Sequence, residues 1–313
     1  MKNAFIVNIA SKTGKSKALW EEIENHLKAK GIQYESFITT KAGDATEYAN
    51  KLTSKGEEID LFVVGGDGTL NEALNGIADF EKTFYIPVPS GSANDFVNGI
   101  GMTGSSIEII DRALNSAKYK LFDIGKISYM KDDMKDERLF GVSAGIGVDA
   151  YVCLQALNSK LKNFLNKFGA GSATYGILTV GDIFTMPFSD AVVTTYFNGQ
   201  RREYNLKSTI FAAAMNCKAE GGGIPMAPDA TPDCGYLTAF IAHDISRLKC
   251  FTMLPLLVAG KHLGKNGFDL LKFNKLTISL KDEMCVHTDG EHVGFLNEIA
   301  FECLAGQLKV KGF

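Results

Sequence analysis

The sequence predicts an α/β plus all-β protein, with an N-terminal Rossmann-like parallel-sheet domain and a C-terminal antiparallel β-sandwich. Three observations predict it. Strand-like and helix-like segments alternate through the first third of the chain. A glycine cluster follows one of those strands directly. After about Asp123, strand-like segments succeed one another without regular helices between them. At 313 residues the chain is long enough for two cores. The expected division is 1–124 for the α/β domain and 125–304 for the sandwich, with 305–313 returning to the first domain.

The elements follow in order. Phe5 to Ile9 is a short apolar strand, and a polar loop continues from Ala10 to Lys15. A helix is expected from Ser16 to Lys30, because Leu19, Trp20, Ile23 and Leu27 fall on one face. Gly31 suits its C-terminal end, where the backbone turns left-handed. Tyr34 to Thr39 reads as the second strand, Asp44 to Ser54 as the second helix and Asp60 to Val64 as the third strand. Gly65-Gly66-Asp67-Gly68-Thr69 comes next, ahead of a helical pattern from Leu70 to Ile77. Later strands are read at Ile124–Met130, Leu139–Val142, Ala191–Phe197, Thr209–Ala214, Leu237–Ile241, Lys275–Leu280 and Ile299–Leu304, with a turn at Asn198-Gly199. Helical stretches interrupt them at Tyr151–Phe168 and Leu248–His262.

Composition excludes several classes. A formal net charge of −3 argues against nucleic acid as a partner, which needs a basic footprint. The most apolar later segment, Cys250 to Gly260, is broken by Pro255 and is far shorter than the roughly 20 residues a spanning helix requires. The first residues lack the pattern of a signal peptide. Six scattered cysteines without a CxxC pair fit a reducing cytoplasm better than a disulfide or zinc framework. A homodimer is compatible with the sequence and is not required by it.

Phosphates need backbone N–H groups pointed at them with no side chain in the way. Gly65, Gly66 and Gly68 permit that approach, and the following helix contributes the positive end of its dipole. Thr69 adds a hydroxyl. Asp67 would repel phosphates unless a cation mediates, so a Mg²⁺-bridging role is expected of it. The plain alternative is a tight Gly-Gly-Asp-Gly turn with no ligand. A second strand, glycine turn and polar helix start at Ile86–Phe96 weighs against that alternative, because two such loops in one sheet could face one nucleotide.

Gly65-Gly66-Asp67-Gly68-Thr69-Leu70-Asn71-Glu72, together with Pro89-Ser90-Gly91-Ser92-Ala93-Asn94-Asp95-Phe96, resembles the bacterial diacylglycerol kinase family of lipid kinases. The resemblance continues in Gly141 to Ala150, Met226 to Ala230 and Asp289-Gly290-Glu291. It implies ATP and Mg²⁺ as cofactors, bound between a nucleotide domain and a sandwich. It also implies a lipid substrate, with diacylglycerol the family default, and peripheral contact with the inner membrane surface from the cytoplasm. The implied nucleotide contacts are Asn8, Ser11 and Lys12 after the first strand, Thr40, Gly66 through Glu72 (Asn71 among them) and Ser92, with Asn94 and Asp95 in the second motif. The loop after the first strand departs from the family's usual proline and second glycine, and serine replaces the usual threonine at position 92.

Transfer to a hydroxyl needs a positioned carboxylate to take the proton. By resemblance Asp289-Gly290-Glu291 carries it, with Glu291 the first choice and Asp289 the second; the plain alternative is an exposed acidic turn. Related enzymes hold a second, structural Mg²⁺ with an aspartate immediately before a glycine. Here Cys234 precedes Gly235, and Asp233 stands one position early, so loss of that ion is expected. His243, His262, His287 and His292 show no ligand spacing and are assigned no role, although His287 and His292 flank the acidic turn. Leu154 to Phe168, with interspersed lysines, reads as an amphipathic helix that covers the sandwich core or lies on a membrane. Two rivals stay open: an NAD kinase-like enzyme, which shares the Gly-Gly-Asp-Gly-Thr cluster, and a nucleotide-binding protein with little catalysis.

Overall fold

A computed structural model describes residues 2–10, 15–158, 181, 183 and 185–313. The chain divides into two compact units, Met1–Ile124 with Ala305–Phe313, and Gly125–Leu304.

The first unit contains β1 (Lys2–Val7), α1 (Lys15–Ala29), β2 (Glu35–Ile38), α2 (Asp44–Thr53), β3 (Ile59–Gly65), α3 (Asp67–Gly76), β4 (Thr83–Pro89), α4 (Asp95–Gly99) and α5 (Ser106–Asn115). Its sheet is parallel, in the order β4-β3-β1-β2. Lys309 and Val310 pair in parallel with Phe84 and Tyr85 on the free edge of β4. The strands β1 and β3 carry buried apolar runs, Ala4–Val7 and Leu61–Val64, as strands of a parallel sheet covered by helices do. Phe5 stacks on Phe62 at 4.3 Å between ring centroids, and Trp20 of α1 packs on the same ring at 5.6 Å. Each such side chain contributes about 1.5–3 kcal/mol by leaving water. From β1 the chain moves to β2 on one side and returns to β3 on the other. That puts a topological switch point between β1 and β3, the place where open α/β sheets bind ligands.

The second unit contains most of β5 (Lys120–Lys131), then β6 (Met134–Phe140), β7 (Ser143–Gly147), α6 (Val148–Asn158), β8 (Ser189–Phe197), β9 (Gln200–Thr209), β10 (Phe211–Met215), β11 (Leu237–Ala242), α7 (Arg247–Val258), β12 (Phe268–Phe273), β13 (Lys275–Thr288) and the start of β14 (Glu291–Val310). The strands pair antiparallel in the order β12-β11-β10-β7-β13-β14, with β8 joining β13 to β9. One core is built on Phe140, Ile146, Val193, Leu276, Ile299 and Phe301. A second gathers Val148, Phe211, Phe240, Met253 and Phe268 around α6 and α7.

The predicted class, a parallel α/β sheet followed by an antiparallel β region, is what the chain forms. Several elements differ in extent. The helix α3 begins at Asp67 rather than Leu70, so Gly65 ends β3, Gly66 caps the helix and Asp67-Gly68-Thr69 is its first turn. Strand β9 escaped the sequence reading because its side chains are largely exposed and show no apolar alternation. The sequence-predicted amphipathic helix 154–168 lies mainly outside the described residues.

Candidate active site

Four loops leave the carboxyl edge of the first unit's sheet, after β1, β2, β3 and β4. They carry Asn8, Thr40, Gly66 and Ser92, respectively. Ser11 and Lys12 lie outside the described residues. At the switch point the Asn8 side-chain amide donates to the Thr69 hydroxyl at 2.9 Å, and its carbonyl accepts from the Ala10 N–H at 3.0 Å. Thr40 is turned the other way: its N–H and hydroxyl both donate to one oxygen of Asp44, at 2.7 and 2.8 Å. Those bonds hold Asp44 below the ordinary carboxylate range. Thr40 therefore fixes the start of α2, and any contact it makes with a ligand is additional to that role.

The loops after β3 and β4 are packed backbone to backbone. The Ser90 N–H donates to the Gly65 carbonyl at 2.9 Å, and a Cβ on Gly91 would stand 2.5 Å from the Gly66 Cα. A Cβ on Gly65 would meet the Thr69 side chain at 2.5 Å. Only glycine at these places lets the two turns close on each other while Thr69 stays folded over the strand end. The Asp67 carboxylate accepts from the Phe96 N–H at 3.2 Å and so ties α3 to the start of α4. Asn94, in left-handed conformation, closes its own loop, accepting from the Gly91 N–H and donating to the Gly91 carbonyl at 2.9 and 3.1 Å. Asn71 is buried and accepts from the Asn75 amide, Glu72 is half-buried, Asp95 opens α4 and Ser92 is exposed. Asn94 and Asn71 thus shape the loops, and Ser92 is open to a ligand.

The first-turn N–H groups of α3 have no intrahelical acceptor, and the helix dipole adds to their attraction for an anion. A backbone cradle of this kind fits a polyphosphate. The carboxylate of Asp67 is a hard oxygen donor suited to Mg²⁺ on that polyphosphate. Among the described residues no three His, Cys, Asp or Glu side chains converge as a metal-binding set. Near the doubtful second site, the Cys234 thiol lies 3.2 Å from the Tyr236 carbonyl and the Gly235 carbonyl accepts from the Asn274 amide at 2.9 Å.

In the second unit, Asp289 and Gly290 form the two-residue loop of the β13–β14 hairpin, both with positive φ, of 46° and 83°. Asp-Gly is the sequence such a primed turn favours. The Asp289 carboxylate turns inward and accepts from the N–H groups of Gly141, Val142 and Ser143 at 2.8, 2.9 and 3.0 Å. That strap is held from behind by the Asn216 amide, which donates to the Gly141 carbonyl at 2.8 Å, and by the Ser143 hydroxyl, which donates to Glu220. Glu291, opposite Thr288 in the ladder, is half-buried, and its carboxylate makes no hydrogen bond or ion pair among the described residues. The two acids therefore differ: Asp289 is an anchor and Glu291 is available.

Behind the turn lies His287, which the sequence alone gives no role, paired with Asp149. His287 is 2% exposed and stands 3.3 Å from the Asp149 carboxylate at the start of α6. Burial lowers its pKa, but Asp149, with Glu220 and Asp289 beyond it, raises it further, and the net direction is upward. The Gly290 N–H donates to its Nδ1 at 3.2 Å. The signal was present in the sequence, since His287 sits two residues before Asp289 and Asp149 stands near the end of the Gly141–Ala150 motif. Nothing in the spacing showed that the two would meet.

Residues 2–127 match the family described as diacylglycerol kinase catalytic domain, and residues 142–312 match the YegS C-terminal NAD kinase beta sandwich-like domain. YtlR of Bacillus subtilis, a protein named as a lipid kinase, is 29% identical over 299 residues, covering 93% of each chain. The diacylglycerol kinase of Staphylococcus carnosus is 28% identical over 281 residues, covering 90% of this chain and 85% of its own. In fold, a diacylglycerol kinase crystal structure from Bacillus anthracis superposes with a TM-score of 0.66 at 22% identity, covering 100% of this chain and 97% of that one. Yeast NADH kinase complexed with NADH superposes with a TM-score of 0.55 at 9% identity, covering 99% and 82%, respectively.

Proposed function

We infer, from the premise that this chain belongs to the diacylglycerol kinase family and is a lipid kinase, that it transfers the γ-phosphate of ATP to the hydroxyl of diacylglycerol, giving phosphatidic acid. The observation that carries the nucleotide half is the backbone cradle at Gly65–Gly66 and Gly91, set against the first turn of α3 at the β1/β3 switch point. Loosely bonded phosphoryl transition states call for positioning and charge stabilisation more than for covalent chemistry. Here the helix N-terminus supplies fixed N–H dipoles, Thr69 a hydroxyl steadied by Asn8, and Ser92 a further hydroxyl. Asp67 is the residue that would hold Mg²⁺, which when bound neutralises charge on the phosphate oxygens.

The acceptor half rests on the β13–β14 turn. The Glu291 carboxylate takes the proton from the lipid hydroxyl as the hydroxyl oxygen bonds to the γ-phosphorus and the bond from that phosphorus to the bridging oxygen breaks, releasing ADP. Asp289, engaged by the amides of residues 141–143, keeps the turn in place. In this reading the first unit holds the donor nucleotide and the second the acceptor lipid.

A lipid acceptor puts the enzyme at a bilayer surface as a peripheral protein. No helix among the described residues is long and apolar enough to cross a membrane. Helix α7 supports surface contact: Leu248 and Val258 are each 64% exposed and Phe251 is 39% exposed, with Lys249 and Lys261 exposed beside them. Apolar side chains among lysines suit an anionic lipid surface.

The likeness to an NADH kinase fold keeps a soluble dinucleotide as the competing acceptor. Offering γ-labelled ATP with diacylglycerol in mixed micelles, and separately with NAD, distinguishes the two. Label in phosphatidic acid supports the proposal, and label in NADP overturns it.

A further inference from the structure

We propose that His287 is a positioning residue for the acceptor-activating turn, holding the Gly290 N–H on its Nδ1 so that Glu291 is fixed for proton transfer. The inference deepens the function proposed above and rests on it.

The geometry builds this role in three steps. First, space is cleared. In the β7–β13 ladder His287 faces Gly145, and a Cβ on Gly145 would stand 2.7 Å from the His287 Nε2 and 2.1 Å from an Asp149 carboxylate oxygen. Glycine at 145 is thus what allows imidazole and carboxylate to meet. Second, the ring is oriented. The Asp149 carboxylate, 10% exposed at the start of α6, also accepts from the Ala150 N–H at 2.8 Å, so its own direction is set. It faces Nε2 at 3.3 Å and favours a proton on that nitrogen. Which nitrogen carries the proton follows from the hydrogen bond the other one makes. Third, the Gly290 N–H lies 3.2 Å from Nδ1, a contact that only the neutral ring can make, with Nε2 protonated and a lone pair on Nδ1; the neighbouring acids pull the ring toward the imidazolium, and the Gly290 N–H opposes them.

Gly290 stands between the anchored Asp289 and the available Glu291. Asp289 is fixed by the 141–143 strap on its side of the turn. On the Glu291 side the ladder is irregular, with a register shift between Val286 and His287. A bulge disrupts the ladder locally, so a further tie on the hairpin tip bears directly on where Glu291 points. The imidazole holds that tip from below. His287 touches neither reacting atom in this account; it acts through the turn.

Side-chain shape supplies the test. Asparagine places its Oδ1 where Nδ1 stands and keeps the acceptor for Gly290, although it is too short to reach Asp149. Glutamine reaches Asp149 but leaves no acceptor at the Nδ1 position, and leucine offers neither. Because misplacing a catalytic group by about 1 Å costs up to about 100-fold, His287→Leu and His287→Gln are expected to lose roughly 10- to 100-fold in kcat, with the KM for ATP within about twofold of wild type and His287→Asn within about fivefold of the wild-type kcat. An asparagine variant as slow as glutamine, or all three at the wild-type rate, would overturn the role. Nitrogen-15 NMR of the wild-type protein labelled at histidine needs no variant to fold: a proton on Nε2 with Nδ1 as acceptor supports the proposal, and a proton on Nδ1 contradicts it. Glu291→Gln run alongside separates the two levels. If it alone stays at the wild-type rate, Glu291 is not the base and this role falls with that assignment; if the wild type itself forms no lipid product, the proposed function fails.

Discussion

The Asn8 side chain donates a hydrogen bond to the Thr69 hydroxyl at 2.9 Å and so joins the end of β1 to the first turn of α3 across the switch point. The hydroxyl that the sequence marks as a phosphate ligand is thereby oriented before any ligand arrives. Thr69→Val keeps the shape and removes the acceptor, with a cost of about 0.5–1.5 kcal/mol in stability. Asn8→Ala should cost a similar amount, and the double variant less than the sum, because both remove the same bond. Thermal unfolding of the three variants, with the KM for ATP rising in each, checks this.

Gly91 offers a sharper test of the cradle. Gly91→Ala would force its methyl group to within 2.5 Å of the Gly66 Cα, and backbone cannot yield as a flexible side chain can. Overpacking of this kind costs about 1–3 kcal/mol. The loop after β3 must then move, so ATP affinity should fall with it in a calorimetric titration. Unchanged affinity would mean that the loop contact is not part of the nucleotide site.

His262 predicts an acid-sensitive component of stability in the second unit. It is fully buried against Phe240, and its Nε2 donates to the Met226 carbonyl at 3.0 Å. Burial holds its pKa below the ordinary value of 6.5. The unfolded chain therefore binds the proton more readily than the folded one, and this contribution declines as pH falls from 6.5 toward the folded pKa. His262→Gln preserves a donor for Met226 without titrating. Its Tm relative to wild type should rise as the pH is lowered from 8 to 5, as differential scanning calorimetry at each pH would record; a constant difference would refute the sign.

Surface contact through α7 has a direct readout. Leu248→Asp and Phe251→Asp replace exposed apolar groups and should leave the fold intact. Sedimentation with vesicles containing phosphatidylglycerol should show binding weakened about 10-fold or more in each, since each lost apolar group removes about 1.5–3 kcal/mol of burial. Binding equal to wild type would remove α7 from the membrane-facing surface.

The parallel sheet was legible because β1, β3 and β4 each carry a short apolar run, Ala4–Val7, Leu61–Val64 and Phe84–Val88, and glycine turns follow β3 and β4, a pattern that survives without knowledge of tertiary contacts. Gly31 at the end of α1 and the Asn198-Gly199 hairpin were legible for the same local reason. The long reach of β13 to Thr288 was less so, since Lys281 to Glu283 interrupts its alternation on the solvent side. Within the candidate site, glycines and acids announced themselves by type, but their division of labour did not. That Asp289 is consumed by three amides from residues 141–143, while Glu291 is left open, depends on contacts nearly 150 positions apart in the chain. The bonds by which Asn94 closes its own loop were not legible either, because a left-handed asparagine in a turn and one facing a phosphate leave the same trace in sequence.

The most direct test of the account is transfer of labelled γ-phosphate from ATP to diacylglycerol in mixed micelles, with product analysis, by wild type, Glu291→Gln and Asp289→Asn. Wild type should form labelled phosphatidic acid. Glu291→Gln should fold normally and lose about 100-fold or more of the rate, the scale of a missing general base. Asp289→Asn should instead lose about 1–3 kcal/mol of stability, because an amide turns one donor against the Gly141 N–H or the paired amides beside it. Phosphatidic acid formed at the wild-type rate by Glu291→Gln, or no lipid product from wild type, would contradict the account.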